Sequence, residues 1–148
     1  MAAWLIAVAA GVVAGWSLLV RERSLPPADP QTLADGARVY GAACASCHGR
    51  NLEGQPNWQR SLPEGGLPAP PHDESGHTWH HPDAILFRIT KFGGAAEAPP
   101  GFKSNMPAFA GSPSDHEIRA ALAYIKSRWP AAIQARQAEI DRRFRETR

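Results

Sequence analysis

The sequence predicts a helical domain organised around a bound group, and three observations carry that reading. Apolar side chains recur at three- and four-residue spacing in separate stretches, the mark of one buried helix face. With 14 prolines and 13 glycines among 148 residues, and with an apolar N-terminal run set apart, little apolar material remains for a core. A domain this small is marginal unless a metal, a disulfide or a cofactor helps to hold it together. The third observation is Cys44-Ala45-Ser46-Cys47-His48, which holds both cysteines of the chain.

Taken in order, residues 1–23 form a unit of their own. Ala2 to Val20 carries no charge, and nineteen helical residues at 1.5 Å rise reach about 28 Å, close to the hydrocarbon thickness of a bilayer. Trp4 and Trp16 lie toward its ends, where interfacial indoles are favoured. Leu18-Leu19-Val20-Arg21 offers no small-residue cleavage site, so an uncleaved transmembrane anchor is expected. No basic residue precedes the run, whereas Arg21 and Arg23 follow it. Taken alone, the positive-inside tendency would place the rest of the chain in the cytoplasm.

Residues 24–31 read as a stiff linker, because Pro26, Pro27 and Pro30 favour extended polyproline II geometry. The first domain helix is expected near Pro30, with Asp29 as N-cap; Leu33, Ala37, Tyr40 and Cys44 then mark one face. A second helix is expected over Pro82 to Phe92, with Ile85, Leu86, Ile89 and Phe92 on one side and Gly93-Gly94 as its stop. The last domain helix opens on Ser114-Asp115-His116-Glu117, an S-x-x-E capping box, with Ile118, Leu122 and Ile125 as its buried stripe. Beyond Pro130, Ile133, Gln137, Ile140 and Phe144 recur at helical spacing among many charges, which predicts a solvated helix with a thin seam. The organisation is thus anchor 1–23, linker 24–31, domain 32–130 and C-terminal helical extension 131–148.

The chemistry is concentrated in the Cys44 to His48 motif. On a helical turn, thiols three residues apart reach the two vinyl groups of one porphyrin, and the adjacent imidazole turns toward the iron. A zinc site would want a second ligand pair, and a thioredoxin-like redox pair would want a βαβ context; the chain has neither. One covalent haem c is therefore expected on Cys44 and Cys47, with His48 as an axial ligand. For the opposite axial position Met106 is the candidate, as the one methionine besides Met1. A thioether favours Fe(II) and fills the sixth coordination position, which suits electron transfer rather than oxygen chemistry.

The segment from Gly36 through Tyr40 to Cys44-Ala45-Ser46-Cys47-His48-Gly49 resembles the opening helix of the class I cytochromes c, and Met106-Pro107 matches the distal loop of that family. The resemblance runs over about residues 31 to 130. It implies an all-α class I cytochrome c fold, a small helical domain wrapped around one haem, acting as an electron carrier. It implies that the aromatic of the first helix packs against the last helix, where Leu122, Tyr124 and Trp129 can supply the partner. It also implies a proline carbonyl that accepts the N–H of the proximal imidazole, for which Pro70 and Pro71 are the two candidates. More narrowly, His72 to His81 resembles a subgroup of bacterial membrane-anchored mono-haem cytochromes.

That stretch holds four of the six histidines. It has no repeated spacing that selects one metal geometry, so it reads as a haem-flanking loop in which Trp79 and a histidine bond the propionates and His80 or His81 caps the next helix. Residues 24–130 carry a net charge of −1 and residues 131–148 one of +2. The globule thus lacks a strongly basic face, and nucleic-acid binding has no support. No small-molecule substrate is indicated, and the reading is of a carrier rather than an enzyme. The expected partners are a redox protein donor and acceptor, and the membrane through the N-terminal helix. The resemblance implies haem c attachment on the outer side of the membrane, which outweighs the weak orienting signal of two arginines flanking Glu22, so the expected place is the bacterial inner membrane, single-pass, with the haem domain in the periplasm. Two other readings are a fixed haem c subunit of an oxidase or dehydrogenase complex, and a haem enzyme or gas sensor with an open iron.

Overall fold

The computed structural model describes residues 25–26 and 28–147, and no strand occurs among them. The anchor expected over residues 1–23 lies outside the described residues. Among the described residues no helix is long and apolar enough to cross a membrane.

Helix α1, Pro30–Ala43, starts where its local chemistry dictates. Asp29 sits in extended conformation and its carboxylate accepts from the backbone N–H groups of Gln31 and Thr32, both at 3.0 Å. Pro30 follows with its ring preset for a first helical turn. These bonds hold the Asp29 carboxyl below its usual range, chiefly through Thr32. The chain turns at Cys44 into a single-turn helix α2, Ala45–His48, which stops at Gly49. Helix α3, Asp83–Phe92, and helix α4, Asp115–Ser127, follow. At the start of α4 the Ser114 hydroxyl accepts from Glu117 N–H and the Glu117 carboxylate accepts from Ser114 N–H, closing the capping box.

The core is the contact of α1 with α4. Tyr40 from α1 meets Ile118, Leu122 and Ile125 from α4, with Leu52, Leu86 and Trp129 completing the cluster. The helices approach so closely at Gly36 that a Cβ there would stand 2.1 Å from the carbonyl oxygen of Ala120 and 2.9 Å from Tyr124 Cβ. Only the missing side chain allows that crossing. Four residues on, the Tyr40 ring packs at 5.7 Å centroid separation on Tyr124, and its hydroxyl donates to Gly49 O at 2.8 Å. Burial pushes the Tyr40 pKa upward, so this donor stays protonated.

Two differences from the sequence reading concern α5, Ala131–Glu146. First, its seam is docked, and the anchors are polar: Gln137 is fully buried and Asp141 is buried. Gln137 donates to His81 O and to Asp83 Oδ1, the latter at 2.8 Å. Lys126 from α4 donates to the same Asp83 oxygen at 2.6 Å. A buried charge persists where it is paired and hydrogen-bonded, and Asp83 is both. Second, neither His80 nor His81 caps α3. Pro82 is the N-cap residue and has no side-chain donor or acceptor; the backbone N–H of Asp83 is instead satisfied by Asp141.

Candidate haem site

His48 is positioned from two directions. The α2 turn carries it inward, with backbone N–H donated to Cys44 O at 2.9 Å, and its ring Nδ1 lies 2.9 Å from Pro70 O. A carbonyl only accepts, so Nδ1 carries the proton and the Nε2 lone pair is left available to a metal. Burial holds the His48 pKa below its ordinary 6.5, against the opposing pull of the Pro70 carbonyl, so the imidazole is neutral at pH 7 and able to ligate. Of the two candidate prolines, the one facing His48 is Pro70. The Pro71 carbonyl faces Thr78 Oγ1 instead, at 3.5 Å.

Both thiols are free. Cys44 is half-buried and Cys47 exposed, and burial followed by the neighbouring Cys47 pushes the Cys44 thiol up to about 11. Cys44 is therefore protonated at neutral pH until it is alkylated.

Met106 lies half-buried in a loop held against the end of α3. Its carbonyl accepts from Gly94 N–H at 3.3 Å, its N–H donates to Ser104 Oγ at 3.1 Å, and Phe109 N–H donates to Thr90 O. A Cβ on Gly94 would stand 2.1 Å from Ser104 Oγ and 3.0 Å from Met106 Cβ, so a glycine is needed where the two segments meet. Around this loop two large apolar side chains face solvent, Phe92 at 55 % and Phe102 at 45 % exposure. A cleft of about 370 Å³ runs between the 61–67 and 101–103 segments, with Leu67, Phe102 and Lys103 in its lining. A haem fits the donors: a tautomer-fixed imidazole, two free thiols and a soft thioether on a pinned loop.

Trp79 is on the short 3-10 turn Thr78–His80. Its indole N–H donates to Glu74 O at 3.3 Å, and its ring stacks on His80 at 3.7 Å beneath the Arg136 guanidinium. Trp58 stacks on His77, which meets His81 edge to face. Among the described residues, no group of three or more His, Cys, Asp or Glu is arranged to hold a metal ion.

One residue at the site carries no local signal in the sequence. The His72 ring lies on the His48 ring at 4.0 Å with 19° between planes, and burial holds its pKa well below 6.5, with the neighbouring His48 adding to the effect. Within a histidine-rich run it is indistinguishable from His77, His80 and His81. Only the return of the chain past Pro70 sets it apart.

A helical domain closed by α1 and α4, with a C-x-x-C-H turn whose histidine is held by a proline carbonyl, defines a class I c-type cytochrome. The chain belongs to the family described as cytochrome c oxidase, cbb3-type, subunit III, whose model matches residues 31–125. No curated protein and no solved structure shows a significant match. Membership implies covalent haem c, with Cys44 and Cys47 as the attachment pair.

Proposed function

We propose that this protein is a membrane-tethered, mono-haem electron shuttle, with His48 as proximal and Met106 as distal ligand of the iron. The carrying observation is the His48 Nδ1 contact with Pro70 O, which leaves Nε2 as a ready metal donor. When bound, the haem supplies one-electron Fe(III)/Fe(II) chemistry. Cys44 and Cys47 anchor the porphyrin, Pro70 fixes the tautomer and orientation of His48, and the Gly94 and Thr90 contacts hold the Met106 loop in place. No step in this function needs a proton transferred by a side chain.

The uncharged run from Ala2 to Val20 supports tethering to the bacterial inner membrane, and haem c attachment on its outer side, as implied for class I cytochromes c, supports a periplasmic domain. The short Pro-rich linker then restricts the domain to partners close to the membrane surface. A second reading is favoured by the description of the family itself: a haem subunit held permanently in an oxidase complex.

The test is full-length protein purified from native membranes. A shuttle is extracted by detergent but not by high salt, titrates as a one-electron couple, and in the ferrous state does not bind carbon monoxide while Met106 stays ligated. Stoichiometric co-purification with oxidase subunits selects the fixed-subunit reading. Immediate carbon monoxide binding without ligand loss rejects both in favour of an open iron.

A further inference from the structure

The hydrogen bond from His48 to Pro70 fixes one atom of the ring but leaves it free to rock about the N–H···O axis. The face of His72, 4.0 Å away and nearly parallel, lies across that motion. His72 is itself held at every polar atom but one. Its N–H donates to Leu52 O at 2.7 Å, and its carbonyl accepts from Trp129 Nε1 at 2.7 Å. Its Nδ1 lies 2.7 Å from Thr78 Oγ1, a buried hydroxyl that donates onward to Pro71 O. The Tyr40 ring stands edge-on to His72 at 6.3 Å. The backbone of His72 is thus tied to Leu52 and to Trp129, just past the end of α4, while the ring itself is tied to the 3-10 turn through Thr78, so the face laid against His48 is fixed at both its root and its tip.

We propose that His72 is a positioning residue that sets the plane of the proximal imidazole, acting by face-to-face stacking, with its ring held in register by Thr78 and its backbone by Trp129. The proposal rests on His48 being the proximal ligand. Fixing that plane fixes the orientation of the ligand orbitals relative to the porphyrin, which the ferric spin distribution reports directly. Neutral stacking of this kind needs an aromatic face at position 72, and the hydrogen bond to Thr78 sets where that face lies.

The experiment uses the holoprotein and reads the ferric electron paramagnetic resonance g-values, the order of the haem methyl shifts in proton NMR, and the midpoint potential. His72→Ala is expected to displace and broaden the largest g-value, to reorder the methyl shifts and to move the potential. His72→Phe restores a face and is expected to keep the wild-type methyl order. Thr78→Val is expected to fall between the two. A folded, haem-loaded His72→Ala protein with wild-type g-values and methyl order overturns the proposal. If that variant does not fold, a wild-type spectrum from Thr78→Val overturns it instead. His48→Ala separates the two ideas: if it retains the wild-type low-spin spectrum, His48 is not the ligand and it is the underlying reading that fails.

Discussion

Asp141 accepts the backbone N–H of Asp83 at 3.0 Å, so the residue that opens α3 is capped from α5, 58 positions further along the chain. First-turn N–H groups have no partner inside a helix, and Pro82 supplies none. The C-terminal helix therefore completes the element that holds the Met106 loop. Asp141→Ala should destabilise the holoprotein by about 1–2 kcal/mol, the usual cost of a lost cap, whereas Asp141→Asn keeps an acceptor and should cost less. Denaturant titration of both variants checks the order; equal stabilities would mean that the cap is replaced by water.

Gly36 and Gly41 lie on the same helix and should respond with opposite signs. A Cβ at Gly36 runs into the Ala120 backbone, while one at Gly41 meets nothing within 4 Å. Gly36→Ala should cost about 1–3 kcal/mol, as overpacking does. Gly41→Ala, in a helix interior with open space, should stabilise by roughly 0.5–1 kcal/mol. Thermal melting of the two holoproteins under one condition makes the comparison.

Met106→Ala removes the soft axial ligand proposed above. The midpoint potential should fall by on the order of 0.1 V or more, within the roughly 0.8 V range that axial ligation spans, because loss of the thioether disfavours Fe(II). The ferrous protein should then bind carbon monoxide readily. An unchanged potential together with an unchanged far-red charge-transfer band would assign the sixth ligand elsewhere.

Acid should weaken the fold through the histidine loop. His77 and His81 have pKa values held below 6.5, each first by burial and then by neighbouring imidazoles. A folded-state pKa below the unfolded one means that the unfolded chain binds more protons, so stability falls as pH drops through 6.5 toward the folded values and is fully present above 6.5. Melting of the holoprotein at pH 7.5 and 5.5 should show the loss. Replacing both residues by glutamine should shrink the difference, and a pH dependence left intact by that change would place its source elsewhere.

What could be read from the chain alone follows range. The Asp29-Pro30 start and the Ser114/Glu117 box involve neighbours, and both stand where expected. The Ile118, Leu122 and Ile125 stripe is buried as its spacing requires. Choosing Pro70 over Pro71 depends on which carbonyl the returning loop turns inward, a matter of tertiary path that residue identity does not encode. That loop includes Leu52 and Asn57 at positive φ, 72° and 55°, backbone states without a strong signal in those residue types. The docking of α5 was hidden for another reason: Gln137 and Asp141 are polar, and polar seams are indistinguishable from solvated ones until a partner such as Asp83 is seen. His72 belongs to the same class, since stacking on a residue 24 positions earlier leaves no periodic trace.

The backbone contact between Gly36 and Ala120 also sets a schedule. Helix α1 and the haem-binding turn are made early, but the surface that α1 must press against is made 84 residues later, and closing so long a loop has to precede any gain from the contact. Through that interval Cys44 and Cys47 belong to a chain that has no way to bury them. The arrival of α4 then fixes the helix that leads into the turn without enclosing it: Cys47 stays exposed and Cys44 only half-buried in the finished fold, so the pair is open to attachment chemistry both before and after the domain shuts.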